Sequence, residues 1–233
     1  MNLLALETST EACSVAVWHD GELLERFEVA PRRHAELVLP WAQALLAEAG
    51  LARSQLDAVA VGRGPGAFTG VRLGIALAQG IALALDLPML PVSTLAALAM
   101  RADETGQVLA AIDARMGEVY AGAFERSGDS VHALGPESVC APDAVALPGA
   151  EASKWRGVGT GFAAVDGALR AHLGPRLTGV DATALPHAGD VARLAAQAWA
   201  RGELVAPERV EPAYLRDNVA LTLVQQQALR AAR

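Results

Sequence analysis

The stretch that most constrains the fold runs from Gly62 to Arg72 and reads G-R-G-P-G-A-F-T-G-V-R. An apolar run at 57–61 precedes it and a long segment rich in alanine and leucine follows, so the pattern predicts a strand, a glycine-rich turn and a helix. Gly64 and Gly66 supply the backbone freedom that such a turn needs. Thr69 stands where an N-cap residue is expected.

Two interpretations of this turn stay open on chemistry alone. Free amides at a helix start, with Arg63 and Arg72 beside them, could hold an anion. The turn could equally be a tight connection and nothing more. Its spacing matches neither common phosphate loop, because G-K-[ST] is absent and because G-x-G-x-x-G fails at Ala67 and Thr69.

Apolar periodicity in the rest of the chain predicts two halves of similar order, separated by the polar segment 102–106. The predicted strands are 2–7, 13–18, 23–29, 57–61, 108–112, 118–124 and 131–138, and residues 88–91 are predicted to form a short strand or a connector. The predicted helices are 34–49, which Pro40 should kink or shorten, 69–85, 94–101, 142–147, 163–172, 190–201 and one from Leu221. Residues 157–161 are predicted to form a glycine-rich turn, and residues 210–216 are predicted to be extended.

Two successive β-β-β-α-β-α halves indicate a duplicated α/β fold of the actin-like, sugar-kinase and Hsp70 (ASKHA) type. We expect a first lobe at 1–103 and a second at 104–233, whose C-terminal extension packs back on the first. Folds of this type bind ATP between the lobes, although a fold alone does not establish an activity. Hydrophobic residues make up 52% of the chain but aromatic residues only 4%, so small aliphatic side chains must fill the core.

The helix predicted at 69–85 carries two rows of small residues with a spacing of four. One row is Gly70, Gly74, Ala78 and Ala82, and the other is Ala76, Gly80 and Ala84. Such rows let another element approach to backbone contact, either within the fold or across an interface. The pattern does not say which row faces outward. The overlapping apolar segment 71–87 is also short for a membrane span and contains Arg72 and Asp86, so a buried helix is expected.

The first hairpin lies where nucleotide-binding members of this fold usually read D-x-G-T. The corresponding residues here are Glu7, Thr8, Ser9 and Thr10. Ser9 adds a side chain where a phosphate should approach, and the acidic side chain is one carbon longer. We therefore interpret the hairpin as a vestige of a nucleotide site rather than as a working phosphate grip.

No pattern of catalytic or metal-binding residues is present in the sequence. The five histidines have no i, i+3 or i, i+4 pair, and no serine lies in a G-x-S-x-G setting. One cluster falls at a predicted turn between strands and consists of Asp113, Arg115, Glu118 and Tyr120. It is either a functional edge or a local ion pair that fixes the turn.

Composition restricts the partners and the compartment. The net charge is −7 and no run of basic residues occurs, so strong direct binding of nucleic acid is not expected. Cys13 and Cys140 lack metal-like spacing and are too few for a disulfide framework, which indicates a reducing cytoplasm. The N-terminus has no signal-peptide pattern.

Several motifs resemble the bacterial TsaB (YeaZ) family, almost from end to end. They are E-T-S-T-E-A-C-S-V-A-V, R-R-H-A-E-L-V-L-P, the glycine-rich stretch, P-V-S-T-L, D-A-R-M-G-E-V-Y and V-E-P-A-Y-L-R. That family is similar to TsaD, the enzyme that transfers a threonylcarbamoyl group to the adenosine just after the anticodon of certain tRNAs. TsaD binds its metal through two histidines in a segment of the form P-V-H-H-M-E-G-H. This chain has Thr94 and Leu98 there, and neither can replace imidazole.

The resemblance implies a non-catalytic scaffold and activating subunit that pairs with a TsaD-like protein and works with a TsaE-like ATPase. It implies contact with tRNA only through the complex, homodimers when the chain is alone, no tightly bound cofactor, and ATP only at the level of the complex. First-lobe helices and the loop would form the interface, through His34, Leu37, Trp41, Arg63, Phe68, Thr69, Gly70, Arg72, Gly74 and Ala78. The alternatives are a small ATP-dependent kinase and a glycoprotein peptidase, and the latter needs a metal or nucleophile that the sequence does not show.

Overall fold

Two β-sheets with the same strand order form the frame of the computed structural model, which describes residues 1–216. The first sheet has the order β3-β2-β1-β4-β5 and consists of β1 (Asn2–Glu7), β2 (Ala12–His19), β3 (Glu22–Val29), β4 (Ala58–Gly62) and β5 (Met89–Val92). The second has the order β8-β7-β6-β10-β11, with β9 also paired to β7. Its strands are β6 (Gly106–Arg115), β7 (Glu118–Ser127), β8 (Ser130–Ala133), β9 (Ser138–Cys140), β10 (Trp155–Val158) and β11 (Leu177–Asp181).

The two sheets also agree in strand direction. In each, the first three strands are antiparallel and the last two run parallel to the first. The helices are α1 (His34–Glu48), α2 (Phe68–Leu85), α3 (Thr94–Ala99), α4 (Ala168–Leu173) and α5 (Ala188–Ala200). This repeated topology confirms the predicted duplicated ASKHA-type α/β fold. The boundary between residues 103 and 104 stays a prediction.

Two of the helices are exchanged between the halves. Helices α1 and α2 cover one face of the first sheet, and α5, from the end of the second half, covers the other. Helix α3, from the end of the first half, packs on the second sheet through Leu95 and Leu98, while α4 covers the opposite face of that sheet. Each sheet therefore buries one face under a helix that the other half supplies.

Small side chains make the contact between the first sheet and α5 close. Ala5, Ala16 and Ala60 on the strands meet Ala192 and Ala195 on the helix, and all five are buried. Alanine surfaces bring a helix nearer to a sheet than leucine surfaces do, because packing must leave no void. This close packing of a helix on a sheet leaves little room for aromatic rings, which explains why aromatic residues are scarce.

The start of α5 is anchored to β3 by a half-buried carboxylate. Glu25 accepts hydrogen bonds from the Gly189 amide at 2.8 Å and from the Ser14 hydroxyl at 2.7 Å, and its Oε2 lies 3.2 Å from His187 Nδ1. Burial raises the pKa of Glu25, but the hydrogen bonds from His187, Gly189 and Ser14 outweigh it and lower the pKa overall. An ionised side chain of the first half therefore holds a helix of the second.

Some local predictions in the first half are wrong. Helix α2 begins at Phe68 after an Ala67 N-cap without a side-chain hydrogen bond, so Thr69 lies inside the helix. Helix α1 does not begin at Pro40 but runs through it from His34. The turn before Pro40 is stabilised by two contacts: His34 Nε2 lies 3.0 Å from Thr10 O, and Val38 is buried. Together they outweigh the one backbone hydrogen bond that proline removes.

In the second half several predicted elements are shorter or divided, while β6 and β7 extend beyond their predicted bounds. The strand predicted at 131–138 is two strands, β8 and β9, and residues 157–158 of the predicted turn belong to β10. The helices predicted at 142–147 and 163–172 are a 3-10 turn at Pro142–Ala144 and the short α4. The segment 210–216 has no regular secondary structure, and the helix predicted from Leu221 lies outside the described residues.

Candidate functional site

The first hairpin is packed directly against the glycine-rich loop. The Ala67 amide donates to Ser9 O at 2.7 Å, and the Thr8 hydroxyl donates to Gly70 O at 2.8 Å. A Cβ added at Gly66 would lie 2.3 Å from Ser9 O, and one at Gly70 would lie 2.2 Å from Thr8 O. Glycine is required at both positions because the two backbones touch. Of the two interpretations of this loop, the contact favours a tight connection over an anion-binding site, because the Ala67 amide at the helix start already donates to Ser9 O.

A second network closes the hairpin from the side of α3. The hydroxyl of Thr94 lies 3.1 Å from Glu7 Oε2 and 3.0 Å from Ser9 Oγ, and it accepts a hydrogen bond from the Gly64 amide at 3.1 Å. Glu7 is buried, and its Oε1 accepts from the Ser9 amide at 2.6 Å. Burial raises the pKa of Glu7, and the hydrogen bonds from Ser9 and Thr94 offset part of that rise.

The residues at the metal-ligand positions of the TsaD motif do not form a metal site here. Thr94 is occupied by the hairpin network, and Leu98 is fully buried among apolar side chains such as Val108 and Ala110. A neutral hydroxyl and an aliphatic side chain are not the donors that a divalent transition metal prefers. Within residues 1–216 no group of three His, Cys, Asp or Glu side chains is placed to hold a metal ion.

A cleft of about 1300 Å³ separates the hairpin and loop from the second lobe. Asp113, Arg115 and Tyr120 of the predicted functional turn line it, opposite Ser9, Thr10 and the start of α2. Arg115 donates to Asp113 at 2.9 Å, so that pair fixes the turn as the simpler interpretation expected. The same turn nevertheless faces the cleft. The structure therefore brings together the first hairpin, the glycine-rich loop and this turn, which the sequence presented separately.

The end of the described chain bridges the two lobes at the mouth of this cleft. The Ala213 amide donates to Arg63 O at 2.8 Å, and Arg72 donates to the Tyr214 hydroxyl at 2.8 Å. On the other side Arg216 contacts the carboxylate of Glu118 and lies 3.3 Å from Ala114 O. Glu118 is thus engaged by Arg216 rather than by Arg115. The sequence led us to expect the C-terminal extension to pack back on the first lobe, but it did not indicate these contacts, whose partners lie roughly a hundred or more residues apart.

The two rows of small residues on α2 face in opposite directions. Gly74, Ala78 and Ala82 are buried on the side of the first sheet, whereas Ala76, Gly80 and Ala84 are exposed. A Cβ at Gly74 would lie 2.4 Å from Thr8 Oγ1, while nothing lies within 4 Å of one at Gly80.

Three residues of the expected interface must therefore be corrected. Gly74 and Ala78 are buried on the inner row, and His34 is buried beneath the first hairpin, so a partner cannot reach them in this conformation. Leu37, Trp41, Gly70 and Arg72 are half-buried, and Arg63, Phe68 and Thr69 are exposed.

The outer face of α2 is apolar, and α1, which covers the same face of the first sheet, also exposes an apolar side chain. Phe68 and Leu83 are 67% and 62% exposed, and Leu39 of α1 adds another exposed aliphatic side chain. Among the described residues α2 is the one helix with the length and composition to cross a membrane, and its inner row packs on the first sheet. Large exposed apolar patches mark places where proteins associate.

Comparison with known proteins gives one consistent group of relatives. The family model for TsaD, described as tRNA N6-adenosine threonylcarbamoyltransferase, matches residues 27–223. The tRNA threonylcarbamoyladenosine biosynthesis protein TsaB of Escherichia coli K12 is 44% identical over 225 residues, covering 94% of this chain and 96% of that protein. The TsaB protein of Haemophilus influenzae is 41% identical, with 94% and 95% covered. The solved structure of YeaZ from Pseudomonas aeruginosa is 49% identical with a TM-score of 0.86, covering 92% of this chain and 99% of that one.

Proposed function

The chain belongs to the TsaB family, and from that membership we propose that it is a non-catalytic cytoplasmic subunit of tRNA threonylcarbamoyladenosine biosynthesis. It pairs with a TsaD-like protein and works with a TsaE-like ATPase. The observation that carries the proposal is the closed centre at Thr94, where the hydroxyl bonds the hairpin in place of a metal-binding imidazole.

The same centre argues against the kinase alternative. A phosphate grip needs free amides and an open backbone surface at the hairpin. Here Gly66 and Gly70 press against the Ser9 and Thr8 carbonyl groups, and the Ala67 amide is already bonded. A triphosphate would have to separate the loop from the hairpin before it could bind. ATP therefore acts at the level of the complex, and the peptidase alternative still lacks a metal site or an activated nucleophile.

Pairing is expected on the outer faces of α1 and α2. The exposed small-residue row, Ala76, Gly80 and Ala84, lets a partner helix approach closely, and Phe68 and Leu83 flank it with apolar surface. A homodimer formed when the chain is alone would use the same surface. The two pairings would then compete by mass action.

The proposal is tested by separating the chain from its partner. The purified chain should produce no modified nucleoside from threonylcarbamoyl-adenylate and tRNA, and adding the TsaD-like protein and the ATPase should restore the reaction. Formation of the nucleoside by the isolated chain would refute the non-catalytic role. Tight binding of Mg-ATP to the isolated chain would favour the kinase instead.

The contact surface is tested with one variant and a matched control. Ala76→Glu places a charge on the outer row and should abolish co-elution with the TsaD-like protein while leaving the fold intact. Ala171→Glu makes the same change on the exposed side of α4 and should have no effect on pairing. Unchanged pairing by Ala76→Glu would move the interface away from α2.

A further inference from the structure

The mouth of the interlobe cleft has a charge opposite to that of the whole chain. The chain carries 26 acidic and 19 basic side chains, but the residues lining the cleft include four arginines and only two carboxylates. The arginines are Arg32, Arg72, Arg115 and Arg216, and the acids are Glu11 and Asp113. Local charge of this kind attracts an anionic ligand even when the net charge does not.

Two of these arginines have no acidic partner among the described residues, although Arg72 donates to Phe68 O and to the Tyr214 hydroxyl. Arg115 is paired with Asp113, and Arg216 is paired with Glu118. Arg32 and Arg72 have no carboxylate within 4 Å anywhere in residues 1–216. The cleft mouth therefore presents two uncompensated guanidinium groups.

Exposed aromatic rings lie beside one of them. Phe68 and Tyr214 are 67% and 59% exposed, and the Arg72 guanidinium carbon lies 3.3 Å from the centre of the Phe68 ring and 5.0 Å from that of Tyr214. Aromatic rings next to arginines form the surface on which unpaired bases stack while their phosphates are neutralised. Tyr120 adds a third ring to the lining.

We propose that this cleft mouth binds unpaired nucleotides of RNA, an inference that rests on the proposed role in tRNA modification and extends it to direct contact. The cleft of about 1300 Å³ is larger than the 300–1,000 Å³ usual for small-molecule sites, which fits a polymer segment. The closed hairpin offers no phosphate grip for a free nucleotide, so the ligand is held from the rim. Phe68 lies at the end of the α2 outer face, so RNA there would border the protein partner.

The test uses the full chain in complex with its TsaD-like protein. The probe is a fluorescein-labelled RNA hairpin with a seven-nucleotide loop, compared with a blunt RNA duplex carrying the same number of phosphates, and affinity is read by anisotropy over a salt series. Phe68→Ala should weaken hairpin binding at least about fivefold and leave duplex binding unchanged. Arg32→Gln should reduce the slope of log K against log salt by about 0.7, the effect of one lost phosphate contact to a single strand.

Arg53→Gln is the matched control, because Arg53 is exposed near the start of β4, at the opposite end of the first sheet from the hairpin. It removes the same charge and should leave the slope unchanged. An equal effect of Phe68→Ala on hairpin and duplex, or displacement of the RNA by ATP, would overturn the proposal. Loss of co-elution by Phe68→Ala would assign that ring to the protein interface, and an unchanged hairpin affinity of Tyr214→Ala, whose ring lines the cleft outside that interface, would then overturn the proposal. Unchanged RNA affinity with intact pairing would refute only the RNA contact and leave the proposed function standing.

Discussion

Replacing Gly80 with alanine should stabilise the isolated chain and weaken its association with the TsaD-like protein. Gly80 lies in the middle of α2 on the exposed row, and nothing lies within 4 Å of an added Cβ. Gly70, on the buried row of the same helix, provides the opposite case. A Cβ there would meet the Thr8 carbonyl oxygen at 2.2 Å, which is backbone and cannot swing away.

The magnitudes follow from these surroundings. Alanine is more favourable than glycine in a helix interior by about 0.8–1 kcal/mol, so Gly80→Ala should raise the unfolding free energy by about that amount. In a chain of this size each kcal/mol corresponds to about 2–4 °C in Tm. At Gly70 the same gain is outweighed by overpacking, about 1–3 kcal/mol, and by the weakened hydrogen bond from Thr8, about 1 kcal/mol. Gly70→Ala should therefore be destabilising.

Association should respond in the other direction at Gly80. If a partner helix approaches the outer row to backbone contact, the added methyl group costs about 1–3 kcal/mol of overpacking. That cost weakens binding by about tenfold for each 1.4 kcal/mol.

Urea denaturation of the isolated chain and calorimetric titration of the TsaD-like protein give the two quantities separately. The denaturation is repeated at several protein concentrations, because a homodimer on the same face would link stability to concentration. A Gly80→Ala variant that is more stable and binds unchanged would show that the outer row is not the contact surface. A less stable Gly80→Ala would contradict the account of that face as open.

Three further predictions concern polar groups that are buried or half-buried. Thr94→Val should lower the unfolding free energy by about 1–3 kcal/mol, since the Gly64 amide and Glu7 lose a partner, and Thr94→Ser should recover most of it in urea denaturation. Because burial raises the pKa of Glu7, its contribution to stability is complete below the ordinary value of 4.5 and declines as the pH rises through the folded-state pKa. Glu7→Gln should remove that decline when unfolding free energies are compared from pH 4 to pH 8. Glu25 has the opposite sign, because its pKa is lowered in the folded protein, so its contribution is present at neutral pH and is lost as the pH falls from 4.5 through the folded-state pKa. Glu25→Gln should therefore cost about 1.5–3 kcal/mol near pH 7, and less as acid protonates the wild-type carboxylate.

The duplicated fold was predictable because its signals are local. Most strands of the first sheet are apolar runs bounded by turn residues, and α2 follows from the long run after the glycine-rich loop. The second half was predicted less well where its strands and helices are short. A strand such as Ser138–Cys140 and a helix of six residues leave little periodicity to detect.

The direction of the α2 rows could not be predicted for a different reason. Both rows consist of small apolar residues, so hydrophobicity does not distinguish an inner from an outer face. The difference arises from Thr8, a residue more than sixty positions away, whose backbone and hydroxyl occupy the space in front of Gly70 and Gly74. A contact of that kind has no signature in the sequence of the helix itself.

The candidate site shows the same limit. The motif identified Thr94 as a lost ligand, but its hydrogen bond to Glu7 joins residues 87 positions apart and was not anticipated. The bridge from Ala213 and Tyr214 to the loop is longer still, and it brings exposed aromatic rings to the cleft. The sequence contains no run of basic residues. It could not show that four arginines distant in sequence line the same cleft.

The exchange of α3 and α5 has a consequence for how such a chain could arise. Each half ends in a helix that packs on the sheet of the other half. Either half alone would therefore leave one face of its sheet exposed and its last helix without a sheet to pack on. Two identical half-length chains would satisfy each other by swapping those helices, which makes a swapped dimer the smallest stable ancestor of the fold. Fusion of the two copies would then have turned an association between molecules into a covalent one. It would also have left each half free to diverge, so that one could lose its phosphate grip while both kept the helix that the other depends on.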